Sequence, residues 1–395
     1  MEKIDPGVTE VAAGGDAIAL ARILVATPSV NPVLEAGGAG EGAIARLAEG
    51  WLRDWGFQVE RHEVAPGRFN VVGSIGGVTD GPTLILNGHL DTVGVAGMSV
   101  PPFGAEIRDG RLWGRGACDM KGGVASLLSA AAALAGGQVA GRLVVALTCD
   151  EEHASLGMAA FVEAGIEADA AVVCEPTGLA IMPAHKGFIW VEADFKGTAA
   201  HGSRPDKGVD AIEHAARYMI ELDRLRQDLS SRDAHPLLGH GSFHAGTIEG
   251  GSAPSVYPDR CTLVLERRTL PGESEAAAVE DFRSALADLS GRDAGVSAEI
   301  RQGLARPGTE VPVESTLVQG LLAACESVGQ EPRVEGMTAW VDAAFLNEAG
   351  IPAVCFGPGS IGKAHSADEW IDVGDIEVAA RVLEHFTRSF LAGGS

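Results

Sequence analysis

Basic residues are scarce in this chain: 30 Lys and Arg stand against 54 Asp and Glu, giving a formal net charge of -24. Such a surface repels a phosphate backbone and an anionic bilayer, which argues against nucleic acid and membrane as partners and leaves small molecules open. The acidity reads more simply as a solvated surface than as attraction for a cationic substrate. Long apolar runs are also missing. The most apolar stretch, VASLLSAAAALAGG from Val124, is too short to span a bilayer and reads as a buried, alanine-rich helix. The N-terminus, MEKIDPGVTEV, lacks a basic region followed by an apolar one, so no secretory signal and a cytoplasmic location are expected. There is no CxxC pair. The six cysteines, Cys118, Cys149, Cys174, Cys261, Cys325 and Cys355, fit reduced core thiols better than a disulfide framework. Repeats and low-complexity segments are absent.

What is present suits a glycine-rich α/β protein: 46% hydrophobic residues, 21% charged residues and 53 glycines in 395 residues. That length exceeds one comfortable core and suggests two domains, one inserted in the other. FNVVGSI from Phe69, TLILNGHLD from Thr83, RLVVALTCDEE from Arg142 and AAVVCEP from Ala171 are short apolar runs bounded by glycine or acidic residues. They read as buried strands separated by helices, and with GIPAVCFGPG from Gly350 they predict an α/β layer whose central sheet is mixed but largely parallel, flanked by helices. Between Lys186 and Gln302 the pattern changes to strand, helix, strand, strand, helix, strand. This βαββαβ order is the split βαβ, ferredoxin-like unit. The expected organisation is a catalytic domain in two parts, 1–185 and 303–395, interrupted by a lid and dimerisation domain at 186–302.

Metal ligands in α/β proteins gather at the carboxyl ends of strands, where side chains converge. His89 and Asp91 close LILNGHLDTV, Glu151 and Glu152 close VVALTCDEE, and Glu175 closes AVVCEP. His365 follows FGPGSIGKAH, and Asp119 sits in the glycine-rich turn GRGACDMKGG. Any one of these alone reads as an ordinary strand-end residue. Together, two histidines and three carboxylates supply enough nitrogen and oxygen donors for two zinc sites, provided that one carboxylate bridges, with a spare carboxylate left as base.

At this point the chain resembles the aminoacylase, acetylornithine deacetylase, succinyl-diaminopimelate desuccinylase and carboxypeptidase G family of dinuclear zinc peptidases. The likeness rests on GHLDTV from Gly88, GRGACDMKGG from Gly114, the Glu151-Glu152 pair, GTAAHGSRP from Gly197, RTLPGE from Arg268 and the closing His365, in the family's order across nearly the whole chain. The resemblance implies two Zn2+ per chain, with Co2+ or Mn2+ as substitutes. His89, Asp119 and Glu175 would bind one ion and Asp119, Glu152 and His365 the other, with Asp119 as the bridge. It implies that Asp91 hydrogen-bonds the other nitrogen of His89 and that Glu151 is the general base. It also implies a cis peptide between Asp119 and Met120.

Within the inserted domain the resemblance assigns His201 to oxyanion stabilisation, often from a partner subunit, and Arg268 to the substrate's α-carboxylate. Arg267 is the adjacent competitor, and strand alternation turns one of the two away from the other. Gly357 and Gly359 in FGPG could offer backbone N-H groups to substrate. One departure stands out: GGSAPS places Ser255 where many relatives have asparagine, shortening the reach of any contact made there. The implied activity is cleavage of the amide bond of an N-acyl amino acid, nearest to acetylornithine deacetylase and succinyl-diaminopimelate desuccinylase, by a homodimer paired through the lid. Dipeptidase or glutamate-type carboxypeptidase action is the alternative within the family, and a dizinc aminopeptidase is chemically close. A non-hydrolytic, metal-dependent binding protein is the rival of another class, opposed by Glu151, since a binder needs no base beside its ligands.

Overall fold

Runs of β-branched and aliphatic residues that end abruptly in charge become the strands, and alanine-rich stretches become the helices packed on them. The computed structural model describes residues 6–77, 81–137 and 140–393; the sequence reading of the N-terminus falls partly on residues 1–5, outside that range. Helices α1 (Pro6–Ala13), α2 (Ala17–Ala26) and α3 (Gly42–Asp54) precede β1 (Gln58–Ala65), β2 (Arg68–Gly76) and β3 (Thr83–His89). There follow β4 (Glu106–Arg108), β5 (Arg111–Trp113), α4 (Gly122–Ala133), β6 (Arg142–Thr148), α5 (Leu156–Glu163), β7 (Ala170–Val173) and β8 (Ile181–His185). Next come β9 (Gly187–Lys196), α6 (Ala211–Ser231), β10 (Ser242–Gly250), β11 (Arg260–Thr269), α7 (Glu275–Arg292), β12 (Ser297–Arg306) and β13 (Thr309–Glu310). The chain ends with α8 (Thr316–Ser327), β14 (Val334–Met337), α9 (Ala343–Glu348), β15 (Ala353–Cys355), β16 (Trp370–Asp372) and α10 (Val373–Leu391).

Two compact units result: 1–183 with 311–335 and 341–395, and 184–310 with 336–340. In the first, the sheet runs β1-β2-β6-β3-β7-β15. The four strands β6, β3, β7 and β15 are mutually parallel, while β1 and β2 form an antiparallel hairpin on the β6 side. Leu84, Ile85, Leu86 and Leu143 to Leu147 are almost wholly buried, as parallel strands covered on both faces must be. Helix α4, apolar all round, packs against α2 and α10 within this core. A small sheet, β16-β5-β4, stands apart. Its three-residue strands are too short to show periodicity in the sequence.

The second unit carries the antiparallel sheet β10-β11-β9-β12 with α6 and α7. Its core joins Ile189, Val191, Ala193 and Phe195 of β9 with Tyr218, Leu222 and Phe282 of the helices, and Asp210 and Ser274 cap α6 and α7. The expected edge of this unit at Gln302 falls inside β12, which continues to Arg306. The register against β9 slips between Gln302 and Ala305 and then resumes, so the break in alternation marks an irregularity rather than the strand's end. Among the described residues no helix is long and apolar enough to cross a membrane.

Candidate active site

The parallel strands deliver their last residues to one edge of the first unit. His89 ends β3, Glu151 and Glu152 lie in the turn after β6, Glu175 is two residues past β7, and His365 lies in the loop after β15. Asp119 occupies a tight segment, Ala117–Lys121, that leads into α4. Gly123 lets that helix come close: a Cβ there would meet the Cys174 carbonyl oxygen at 2.0 Å. The Asp119-Met120 peptide is cis, as the family resemblance implies. The buried carboxylate of Glu369 holds the segment, accepting the backbone N-H groups of Gly116 (3.0 Å), Cys118 (2.9 Å) and Asp119 (3.1 Å) and a 2.7 Å bond from Arg115 Nη1.

Asp119 sits between the two imidazoles. Its Oδ1 is 3.1 Å from His89 Nε2, and its Oδ2 is 3.3 Å from His365 Nε2. The same His365 nitrogen is 3.0 Å from Glu152 Oε2. His89, Asp119 and Glu152 thus bring one ligand atom each within 4.8 Å of one another. Glu175 is buried, and its Oε1 has no hydrogen-bond partner.

Burial drives the electrostatics. It raises Glu151 well above the carboxylate range, with the charge of Glu175 adding to the effect, and raises Glu175 to about 8 with help from Asp119. Burial and Asp119 likewise raise Glu152. Asp119 is the exception: burial opposes its charge, yet hydrogen bonds to His365 and His89 hold it below the usual range. Hydrogen bonds to Asp119 and Glu152 lift His365 to about 10. For His89, burial acts downward but is outweighed by Asp119 and the surrounding carboxylates.

The family implies metal here, and the residues fit it. Four carboxylates, Asp119, Glu151, Glu152 and Glu175, face only two imidazoles, and the crowding and burial that raise Glu151, Glu152 and Glu175 are what divalent cations would relieve. One oxygen of Asp119 points towards each histidine, the disposition of a bridge. The unpartnered Glu175 oxygen has its lone pairs free for a cation. Mixed imidazole and carboxylate donors suit zinc and its borderline neighbours.

Asp91 departs from expectation. His89 Nδ1 donates to the backbone carbonyl of Asp91 at 3.0 Å, while the nearer carboxylate oxygen lies at 3.7 Å. The carboxylate instead accepts the backbone N-H groups of Glu151 at 3.1 Å and Glu152 at 3.3 Å. Strand-end geometry turns the main chain, not the side chain, towards the ring. Gly357 and Gly359 also differ from expectation. The Gly357 N-H is donated to Thr177 Oγ1 at 3.0 Å and that of Gly359 goes to Asp375, so both are consumed within the fold. A Cβ at Gly357 would lie 2.5 Å from the Glu175 carbonyl oxygen, which explains the glycine by close packing.

His201, Ser255 and Arg268 belong to the second unit. His201 is exposed, with Nδ1 2.8 Å from Ser203 Oγ, and its strand-like bridge to Val256 places it beside Ser255, whose carbonyl accepts the Gly202 N-H at 2.7 Å. Arg268 bonds Glu266 at 2.7 Å and lies over the Phe188 ring, whereas Arg267 is fully buried against Glu273 at 2.8 Å. Sequence reasoning passed over Glu369, although it lies four residues after His365, and Asp150, which directly precedes Glu151. It also passed over Asp342, a buried carboxylate raised to about 7 by burial, which no flanking motif announces.

Comparison with known proteins agrees with this geometry. The family model described as Peptidase family M20/M25/M40 matches residues 85–389. The acetylornithine deacetylase of Myxococcus xanthus is 33% identical over 354 residues, covering 86% of this chain and 90% of that protein. That of Erwinia tasmaniensis is 33% identical over 383 residues, covering 93% and 97%. In fold the chain is similar to the aminopeptidase PepT of Bacillus cereus, with TM-score 0.79, 23% identity and coverage of 96% and 99%. It is also similar to the Bacillus subtilis YXEP protein, described as a dinuclear metal binding peptidase, with TM-score 0.73, 20% identity and coverage of 97% and 99%. The extent of these matches, over a strand-end cluster of the kind such enzymes need, shows that the chain belongs to peptidase family M20/M25/M40, metal-dependent hydrolases that act on amide bonds.

Proposed function

We propose that this chain hydrolyses the amide bond of N-acyl amino acids, as the names of its acetylornithine deacetylase relatives suggest, at a centre for two zinc ions that cobalt or manganese can replace. The chief support is Asp119, set between His89 and His365 with one oxygen towards each, beside the Glu151-Glu152 pair. His89, Asp119 and Glu175 would hold one ion, and Asp119, Glu152 and His365 the other. When bound, the ions supply Lewis-acid charge that polarises the acyl carbonyl. Glu151 takes a proton from the attacking water as the new C-O bond forms, then returns it to the amide nitrogen as the C-N bond breaks, releasing a carboxylate and an amine. Asp91 holds the turn that carries Glu151, and its carbonyl orients His89 so that Nε2 faces the ligands.

The proposal extends to His201 as an oxyanion donor, with Ser255 beside it, and to Arg268 as the clamp for the α-carboxylate. It includes a cytoplasmic homodimer paired through the second unit. The edge strand β10 with exposed Ile248, and the exposed Ile212, Met219 and Ile220 of α6, support that pairing. The test is metal content per chain together with hydrolysis of N-acetyl, N-succinyl and dipeptide substrates before and after chelation. Two zincs with chelator-sensitive deacylation is the expected result. Preference for dipeptides would move the assignment to a peptidase, and metal without turnover would favour a binding protein.

A further inference from the structure

We infer that Asn31 is a positioning residue for the proposed base Glu151, anchored by a buried Glu41-Arg68-Asp150 chain. Only the rate effect predicted below rests on the hydrolytic proposal. Asn31 is fully buried in the loop after α2, which runs beside the end of β3: its N-H donates to the Thr92 carbonyl at 2.9 Å, and the Thr92 N-H donates to Ser29 at 3.2 Å. Its amide nitrogen serves two carboxylates, donating to Asp91 Oδ2 at 2.8 Å and Asp150 Oδ1 at 3.0 Å. Its amide oxygen accepts the Val33 N-H at 3.1 Å. That third bond fixes the amide's orientation, because the flipped amide would set an oxygen against two carboxylates.

Behind Asp150 lies the anchor. Arg68 Nη1 bonds Asp150 Oδ1 at 2.8 Å, while Nε and Nη2 grip Glu41 at 2.8 and 2.6 Å. Glu41 Oε1 in turn accepts the Asp150 N-H at 3.3 Å. Glu41, Asp91 and Asp150 are fully buried, and Arg68 nearly so. Two carboxylates, Glu41 and Asp150, share one guanidinium, and Asp91 is buried beyond them on the other side of Asn31, an arrangement that costs desolvation and offers little to stability compared with apolar packing. Its far end explains it. The two oxygens of Asp91 accept the N-H groups of Glu151 and Glu152, the proposed base and its neighbouring ligand. The chain therefore runs from Arg68 at the start of β2, through Asp150 after β6 and Asn31 in the loop after α2, to Asp91 and the main chain of Glu151 and Glu152. Asn31 is the neutral link between Asp91 and Asp150, one amide nitrogen donating to both carboxylates.

The test is amide hydrogen exchange of the full-length protein, read at Glu151 and Glu152 by fragment mass spectrometry or NMR, beside steady-state kinetics. In Asn31→Ala the two amides are expected to exchange about tenfold faster or more, with the interior amides of β6 unchanged, and kcat to fall about 10- to 100-fold at nearly constant KM. Arg68→Lys keeps the charge but loses the fork that reaches both Glu41 and Asp150, and it should loosen the same two amides more mildly. It answers the question if Asn31→Ala does not fold. Unchanged protection at Glu151 and Glu152, or loss spread evenly through β6, overturns the inference whether or not the parent hydrolyses any substrate. Selective loss in a parent that cleaves no acyl amino acid supports the positioning role and sinks the hydrolytic proposal instead.

Discussion

Asp91 Oδ1 accepts the backbone N-H of Glu151 at 3.1 Å while the carbonyl oxygen of the same Asp91 takes the Nδ1 hydrogen of His89 at 3.0 Å. One residue therefore sets both the ring that faces Asp119 and the turn that carries the proposed base. Its main chain acts on one and its side chain on the other. The two halves of the centre come from β3 and β6, adjacent parallel strands, so their relative placement inherits the rigidity of the sheet.

Glu151→Gln separates catalysis from metal binding. The amide cannot take a proton from water, but it preserves the shape of the side chain, and Glu151 is not in the cluster formed by His89, Asp119 and Glu152. The expected outcome is a loss of about 10²- to 10⁴-fold in kcat with unchanged metal content, checked by parallel kinetics and elemental analysis. A variant that retains parental turnover would remove Glu151 from the mechanism.

The centre was legible in the sequence to the extent that strand register is. His89 and Glu175 are the first imidazole or carboxylate after buried aliphatic runs and Glu152 ends the acidic triplet Asp150 to Glu152 that closes another, and a parallel sheet with a single layer of strand ends brings such positions together without further information. Alternation also separated Arg267 from Arg268, since a period of two sends them to opposite faces of β11. What could not be read depends on pairing over long separations. The Gly357 N-H is consumed by Thr177, 180 positions away, and the Asp91 carboxylate is turned by Asn31, 60 positions away. Nothing local marks Thr177 or Asn31 as the partner. Nor does anything local show that β12 continues past Gln302 to Arg306 across a slip in its register with β9.

Glu369 offers a test of how the Asp119 segment is held. Its carboxylate collects three backbone N-H groups and Arg115, and Glu369→Ala leaves the three N-H groups buried without that acceptor and Arg115 Nη1 with only the Ser366 carbonyl at 3.3 Å. Breaking such a buried charged network costs about 3–5 kcal/mol, and loosening the support of a ligand weakens metal binding about 10- to 100-fold. Glu369→Gln should be milder, because one amide oxygen still accepts. Denaturant melts and competition against a chelator would measure both effects, and parental metal affinity in folded Glu369→Ala would contradict the role.

Metal removal should destabilise the protein. Four carboxylates crowd the centre with only two imidazoles to offset them, so cations that bind the folded chain alone stabilise it by about 2.7 kcal/mol when free metal is a hundred times its dissociation constant. Chelation is therefore expected to lower the melting temperature by several degrees. Zinc should restore it better than magnesium, which prefers an all-oxygen octahedron to imidazole donors. Equal rescue by both would argue against a mixed nitrogen and oxygen site.

Acid sensitivity is expected from His185 in the second unit. The ring is 3% exposed, with Nδ1 3.2 Å from the Lys186 carbonyl and Nε2 2.8 Å from Thr309 Oγ1. A carbonyl can only accept, so Nδ1 carries its hydrogen, and Nε2 faces a hydroxyl that can donate to it, surroundings that accommodate a neutral ring. Burial lowers its pKa from 6.5 to about 4, partly opposed by the bond to Lys186. The unfolded histidine takes up its proton near pH 6.5, before the folded one can, so between about pH 6.5 and 4 the unfolded state binds more protons. This contribution to stability is complete above pH 6.5 and is lost as pH falls towards 4, for a total of about 3 kcal/mol. His185→Gln keeps a donor and an acceptor but cannot titrate. Denaturant melts between pH 7 and 4.5 should therefore show a shallower loss in the variant than in the parent, and parallel profiles would mean that His185 is not held neutral.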